Sequence, residues 1–271
     1  MSHQGAETVD HPPAGRRSVW SELAAAIGWP LLVLVAVIGL WEFAVRSGSV
    51  NKIILPLPED VAVAFYRIVL TPFFWEAAGI TLQETLLGFG IGAGLGFVLG
   101  VAIASVKIIR LALYPFAVAF QNTPRVAFAP VLVTLFGFGI GSKVALAAAI
   151  CFFPTLLNVM VGIQTVDEDA KTVMRSYGAS TWQMFRKLTL PYALPLVFAG
   201  LKLGMSFALI GAIVAEFVGA SRGLGVLIET YNFQLDTAEA YAVVLALSAI
   251  GLALYGFMEI LDRRVVFWID R

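Results

Sequence analysis

Six stretches of this chain are too long and too apolar to face water: residues 27–44, 80–104, 111–135, 144–163, 194–217 and 241–261. A helix needs about 20 apolar residues to cross a bilayer. Inside lipid only a helix or a closed barrel satisfies its own backbone donors and acceptors. The pattern therefore predicts an all-α integral membrane protein with six transmembrane helices. Composition agrees, because only 13% of the 271 residues are charged, where a soluble domain carries roughly 25%. The third stretch is interrupted by Gln121, Asn122, Thr123, Pro124 and Arg125. It reads either as a span broken into two half-helices or as a re-entrant segment.

Charge resolves that ambiguity. With six crossings and a cytoplasmic N-terminus, the inner segments hold Arg16, Arg17, Lys107, Arg110, Lys171, Arg175, Arg186, Lys187, Arg263, Arg264 and Arg271. The outer segments hold Arg46, Lys52, Arg67, Lys143 and Arg222, so the split is eleven to five, in the direction of the positive-inside rule. Dropping the third span would move Arg186 and Lys187 outside and spoil that bias. Both termini are thus expected in the cytoplasm, with residues 1–26 a cytoplasmic tail and 27–268 the membrane domain. The first apolar run has 18 residues, more than the 7–15 of a signal-peptide core, and reads as a retained anchor.

Several function classes fall away. The net charge of zero gives no basic field for nucleic acid. Cys151 is the sole cysteine and reads as a small packing residue; His3 and His11 sit in a polar tail without companions for a metal. No phosphate-binding loop occurs: the nearest lookalike, residues 137–143 (GFGIGSK), has Ser142 between its last glycine and the lysine and lacks the hydroxyl residue that should follow. The chain is expected to hydrolyse no ATP, to hold no cofactor, and to be no enzyme.

Between the fourth and fifth spans lies a charged segment, residues 167–191. Asp167, Glu168 and Asp169 suit a helix N-terminus, and Gly178 suits the left-handed residue that ends a helix. Ser180 with Gln183 three residues later forms a capping-box pattern for a second helix, which Pro191 is expected to close. From Gly178 to Pro191 the spacing is G-x9-L-x-L-P. It resembles the cytoplasmic EAA loop of ABC importer permeases, EAA-x3-G-x9-I-x-LP, although Thr172, Val173 and Met174 occupy the Glu-Ala-Ala positions.

The resemblance extends along the chain. A proline-bearing segment, LPLPEDVAVAFYRIV, precedes the second span. QNTPRVAFAPVLVTLFGFG, FFPTLLNVMVGI and VAEFVGASRGLGVLI then follow in the order of permeases of the nitrate, sulfonate and taurine group. It covers about residues 27–268. It implies a bacterial inner-membrane permease with the type I importer fold, pairing with a second permease copy, two ATPase subunits that bind ATP and Mg, and a solute-binding protein. The implied cargo is a small anionic, zwitterionic or heterocyclic solute. It also implies that residues 167–191 form a coupling helix docked on the ATPase, with Arg175, Tyr177, Gly178, Ala179, Ser180 and Trp182 at its centre. Trp182 and Phe185 also read as interfacial anchors.

Three further features come from the residues themselves. Gly88, Gly92, Gly96 and Gly100 line one helix stripe and predict close helix packing. Arg125 within a span costs roughly 2.5–3.5 kcal/mol, so it faces protein or water. It reads as a path-lining group with Gln121 and Asn122, or as the partner of helix carbonyls or of an acid such as Glu216. Lys202 is expected to snorkel to the inner surface, without a substrate role. Pro154 and Asn158 read as a kink and a hydrogen bond to a neighbouring helix, and Ala62, Phe65, Tyr66 and Val69 as the face that a short helix lays on the outer interface. The alternatives to an ABC permease are an ion-coupled secondary transporter, for which Glu216 is the only intramembrane carboxylate in view, and a non-transporting scaffold.

Overall fold

The computed structural model describes residues 19–121 and 123–268. The tail motifs at His3, His11, Arg16 and Arg17, together with Asn122 and Arg271, lie outside the described residues. In chain order the elements are α1 (Val19–Arg46), α2 (Pro58–Val69), α3 (Pro72–Ser105), α4 (Lys107–Gln121), a 3₁₀ turn (Arg125–Phe128), α5 (Ala129–Phe136) and α6 (Ile140–Gln164). There follow α7 (Glu168–Ser176), α8 (Thr181–Met184), a π turn (Phe185–Thr189), α9 (Leu190–Gly219), α10 (Leu224–Gln234) and α11 (Thr237–Val265). No strand occurs among the described residues.

The chain divides into two compact units, residues 1–58 and 59–271. In the first, α1 presents Leu31, Val35, Leu40 and Phe43 outward, as a lipid-solvated helix does. Trp41 donates its indole N–H to the Pro56 carbonyl at 3.0 Å, which folds the following segment back on the helix. In the second unit α2 buries Val61, Ala64 and Ile68. Ala62 and Tyr66 are exposed, so the face expected to lie apart as an interfacial anchor is not the one that packs.

Among the described residues, five helices are long and apolar enough to cross a membrane, including Pro72–Ser105, Ile140–Gln164, Thr181–Gly219 and Thr237–Val265. The expected third span is not one helix. Thr71 caps α3 by accepting the Phe74 amide at 3.3 Å, and α3 then runs for 34 residues. After it, Pro124 steers the preceding residue away from helical angles, and the chain breaks into α4, the 3₁₀ turn and α5. This broken segment still crosses from one end of the bundle to the other. Gly88 faces Ala147, Gly96 faces Phe152 and Gly100 faces Leu156 and Val159, so α3 and α6 run parallel and the chain between them must return.

The α3–α6–α9 core is built on small residues. A Cβ at Gly96 would sit 2.7 Å from the Phe152 carbonyl oxygen, and one at Gly100 2.9 Å from that of Leu156. Gly88 and Gly92 likewise abut α6 at Ala147 and Ala148. On α9, Gly211 stands against the Ala147 α-carbon, Gly204 against Thr155 and Gly200 against Asn158, so α9 runs antiparallel to α6. Lipid offers no hydrophobic drive for helix association, and close van der Waals contact takes its place. Asn158 turns back to its own helix and donates to the Pro154 carbonyl at 2.8 Å rather than to a neighbour.

Candidate functional site

Residues 167–191 form the most distinctive surface of the bundle. Asp167 caps α7 by accepting the Asp169 amide at 3.0 Å. Glu168 pairs with Lys171 at 2.8 Å, and that hydrogen bond and charge hold the Glu168 carboxyl below its ordinary range. Gly178 takes φ +75. Its N–H bonds to the Arg175 carbonyl at 2.9 Å, and the Ala179 N–H bonds to that of Met174 at 3.0 Å. This is the paired closure of a Schellman helix end. Ser180 then opens α8 through a complete capping box with Gln183.

Pro191 does not close this second helix. It lies in the first turn of α9, and residues Thr181–Gly219 run as one 39-residue helical rod. Proline lacks the N–H that would bond one turn back, and its ring crowds that carbonyl. The wider π turn at Phe185–Thr189, closed by the Leu190 N–H on the Phe185 carbonyl, makes room for the ring without breaking the rod. The segment is thus mechanically continuous with a transmembrane helix.

Its tip is aromatic and open. Tyr177 is 86% exposed and Trp182 66% exposed, with Trp182 stacked on Phe185 at 5.8 Å between ring centroids. Arg175 and Ser180 are exposed beside them, and Ala179 is half-buried. A cavity of about 470 Å³ behind the loop is lined by Ser105, Arg110, Gln164, Glu168, Lys171 and Arg175, among others, so the α3–α4 link, the end of α6 and α7 meet at this loop end of the bundle. Nearby, Lys202 does not snorkel: its ammonium bonds Glu259 at 2.8 Å and the fully buried Asp262 at 2.9 Å, tying α9 to α11.

At the broken span, Arg125 is half-buried. It donates to the Ile150 carbonyl at 3.2 Å and reaches the Gln121 carbonyl at 3.4 Å, with its guanidinium 5.1 Å from the Phe153 ring centroid. Glu216 is not its partner.

Glu216 belongs instead to a buried polar knot at the far end, opposite the loop. It accepts from Thr81 at 2.6 Å and from the Gly225 N–H at 2.5 Å, while Thr81 accepts the Leu224 N–H at 2.9 Å. Glu84 and Lys143 are each at most 3% exposed in the same region. Two buried carboxylates, Glu84 and Glu216, therefore stand at this end of the spans, where the sequence reading has Glu216 alone. Lys143, counted among outer charges, is inside the protein and donates to the carbonyls of Phe138 and Gly219. A charged residue inside the run TLQETLLGFG was the available signal for Glu84. Nothing local marked Gly223 and Gly225, whose lack of Cβ admits the Glu216 carboxylate. Beside the knot, a cavity of about 410 Å³ is lined in part by Phe73, Glu76, Arg222 and Tyr231.

A bundle of helices long and apolar enough to cross a membrane, carrying a charged, capped loop continuous with one of them, defines an integral membrane protein. Residues 92–267 match the family described as "Binding-protein-dependent transport system inner membrane component". The chain is 33% identical over 243 residues, 90% of each protein, to the riboflavin transport system permease protein RibX of Chloroflexus aurantiacus. It is 29% identical to the putative aliphatic sulfonates transport permease protein SsuC of Bacillus subtilis, covering 97% of this chain and 93% of that one. An amino acid ABC transporter structure shares the fold at 20% identity and TM-score 0.59, covering 73% of this chain and 97% of that one. The MetNI methionine ABC transporter does so at 21% and 0.56, covering 70% and 93%. The chain belongs to this family and is an ABC importer permease of the nitrate, sulfonate and taurine type.

Proposed function

We propose that this permease works as one of two copies, with two ATPase subunits docked on residues 167–191 and a solute-binding protein delivering cargo at the far end. ATP and Mg then belong to the ATPase, and both termini and the loop face the cytoplasm. The observation that carries this reading is the 39-residue rod Thr181–Gly219, which starts beside the exposed Tyr177 and ends next to the buried far-end knot. A push on Tyr177, Gly178, Ala179, Ser180 or Trp182 moves α9 as a body, and interfaces held by interdigitated small residues switch between discrete packings rather than bending. Arg175, Arg186 and Lys187 give the docking face its positive charge, and Gln121 and Arg125 border the path at the broken span.

The cargo in this reading is a small anionic, zwitterionic or heterocyclic solute. Relatives named for riboflavin and for formylaminopyrimidine make heterocycles the first class to screen. The test is affinity purification of the tagged chain with mass spectrometry of what accompanies it, followed by ATP-dependent uptake in vesicles containing the recovered complex and binding protein. Recovery of an ATPase subunit and a second permease copy is expected. A chain that purifies without any ATPase from its own membranes overturns the docking assignment.

A further inference from the structure

At the loop end of the bundle two cavities share a wall. The polar one, of about 470 Å³, holds three cations, Arg110, Lys171 and Arg175, and one acid, Glu168. Glu168 is taken by Lys171 at 2.8 Å. Among the described residues neither arginine side chain makes a hydrogen bond or an ion pair, so two positive charges stand uncompensated. Beside this cavity runs an apolar groove of about 400 Å³ walled by Val101, Trp182 and Phe185. Ser105, Thr181 and Phe185 line both spaces. The groups are ordered by depth. α3 has 34 residues, about 50 Å at 1.5 Å per residue, against about 40–45 Å for a bilayer with its headgroups. Centred in the bilayer, it brings its last turn to the headgroups. Val101 lies one turn deeper than Ser105, and on the antiparallel rod Phe185 lies one turn deeper than Thr181. From the hydrocarbon outward the wall therefore reads apolar, then hydroxyl, then arginine.

We propose that the two cavities are one site for an anionic phospholipid, with its phosphate between Arg110 and Arg175 and the start of an acyl chain along Val101, Trp182 and Phe185. Guanidinium groups present paired N–H donors that match phosphate oxygens, and the unpaired charge selects a lipid with net negative charge over a zwitterionic one. Each arginine at a membrane surface strengthens such binding about fivefold. A free anion fills the polar cavity and leaves the groove empty, whereas a lipid fills both. The bound lipid ties the start of α4 to α7 and to the start of the rod, so bilayer composition sets how firmly the loop is held. That consequence, and the placing of the lipid in the inner leaflet, rest on the coupling reading; the site does not.

The test is native mass spectrometry of the full-length chain with its co-purifying subunits, delipidated in mild detergent and titrated with phosphatidylglycerol or phosphatidylcholine. The parent is expected to bind phosphatidylglycerol about tenfold more tightly or better. Arg110→Gln removes one charge from an exposed side chain and should weaken phosphatidylglycerol about fivefold, leaving phosphatidylcholine unchanged. Ser105→Trp plugs the border between cavity and groove and should weaken both lipids; if it does not assemble, Arg110→Gln decides alone. Equal binding of the two lipids by the parent, or unchanged phosphatidylglycerol binding in Arg110→Gln, overturns the proposal. So does a rise in thermal midpoint with inorganic phosphate that matches the rise with phosphatidylglycerol, which makes the site one for a free anion. Arg110→Gln that keeps the lipid and loses the ATPase subunit assigns the cavity to docking and overturns it too. The same spectra count ATPase subunits on the parent, so a failed coupling reading is told apart from a failed lipid site.

Discussion

Arg125 supplies the hydrogen bond that Pro154 cannot. The carbonyl one turn before Pro154 is that of Ile150, which loses its usual helical donor because proline has no N–H, and the Arg125 guanidinium reaches that oxygen at 3.2 Å. The break in the third span and the proline of the fourth are thus one feature. Arg125→Ala leaves the carbonyl unserved at a cost of about 1–3 kcal/mol. Pro154→Ala restores the amide, so the double variant should recover much of that stability, measured as thermal midpoints in a double-mutant cycle. Uptake tests the other role. If Arg125 also lines the path, both Arg125 variants transport poorly at normal complex levels, whereas uptake that returns with stability makes the arginine purely structural.

The glycine stripe makes a matched prediction. Gly92 faces the Ala148 carbonyl and the Cys151 sulfur, while Gly90, on the same helix, has open space within 4 Å of the point a Cβ would occupy. Gly92→Ala should cost about 1–3 kcal/mol through overpacking. Gly90→Ala should fall within about 1 kcal/mol of the parent, on the favourable side. Detergent stability of the two purified variants checks the contrast, and equal losses would refute packing as the reason for the stripe.

Local signals are legible in the sequence because they act over one turn. Ser180 and Gln183 specify their own capping box, Gly178 its own left-handed turn, and Gln121 to Arg125 their own break. The features that escape it join distant residues: Thr81 meets Glu216 across 135 positions and Lys143 meets Gly219 across 76. Lys143 reads as a loop charge because hydropathy cannot tell a solvated helix start from one buried under a neighbour's end. Pro191 reads as a stop because a π turn, which absorbs the proline, has no sequence signature of its own.

Lys202 and Asp262 join α9 to α11, with the Asp262 side chain 0% exposed. Lys202→Met takes the ammonium away from that buried carboxylate and should cost about 3 kcal/mol, while adding Asp262→Asn should recover much of the loss. Thermal midpoints of the single and double variants provide the check. A Lys202→Met protein as stable as its parent would show that the ion pair contributes nothing to holding the two helices.

Ser180 caps the loop helix at one end of the rod, and Ser221 follows the other end at Gly219. With the loop in the cytoplasm, a cysteine at Ser221 should react with an impermeant thiol reagent in intact cells, and one at Ser180 only after lysis. Cys151 is buried and gives no background. The reverse pattern would invert the proposed orientation, and labelling of both from outside would refute a crossing between them.

Gly178 isolates coupling from folding. At φ +75 it stands in open space, with no atom within 4 Å of where a Cβ would lie, so a substitution there meets backbone strain and no clash. Valine is the least suited to that conformation, at a cost of about 1–2 kcal/mol, and asparagine is among the most tolerant. In Gly178→Val the Schellman bonds from Gly178 and Ala179 to α7 should open, shifting the exposed Tyr177 while the α3–α6–α9 core stays intact. The expected outcome is a permease with unchanged thermal midpoint that recovers little ATPase on purification, or recovers it without linking hydrolysis to uptake. Gly178→Asn should retain most of both. Full ATP-dependent uptake by the valine variant in reconstituted vesicles would show that the geometry of this turn does not carry the coupling.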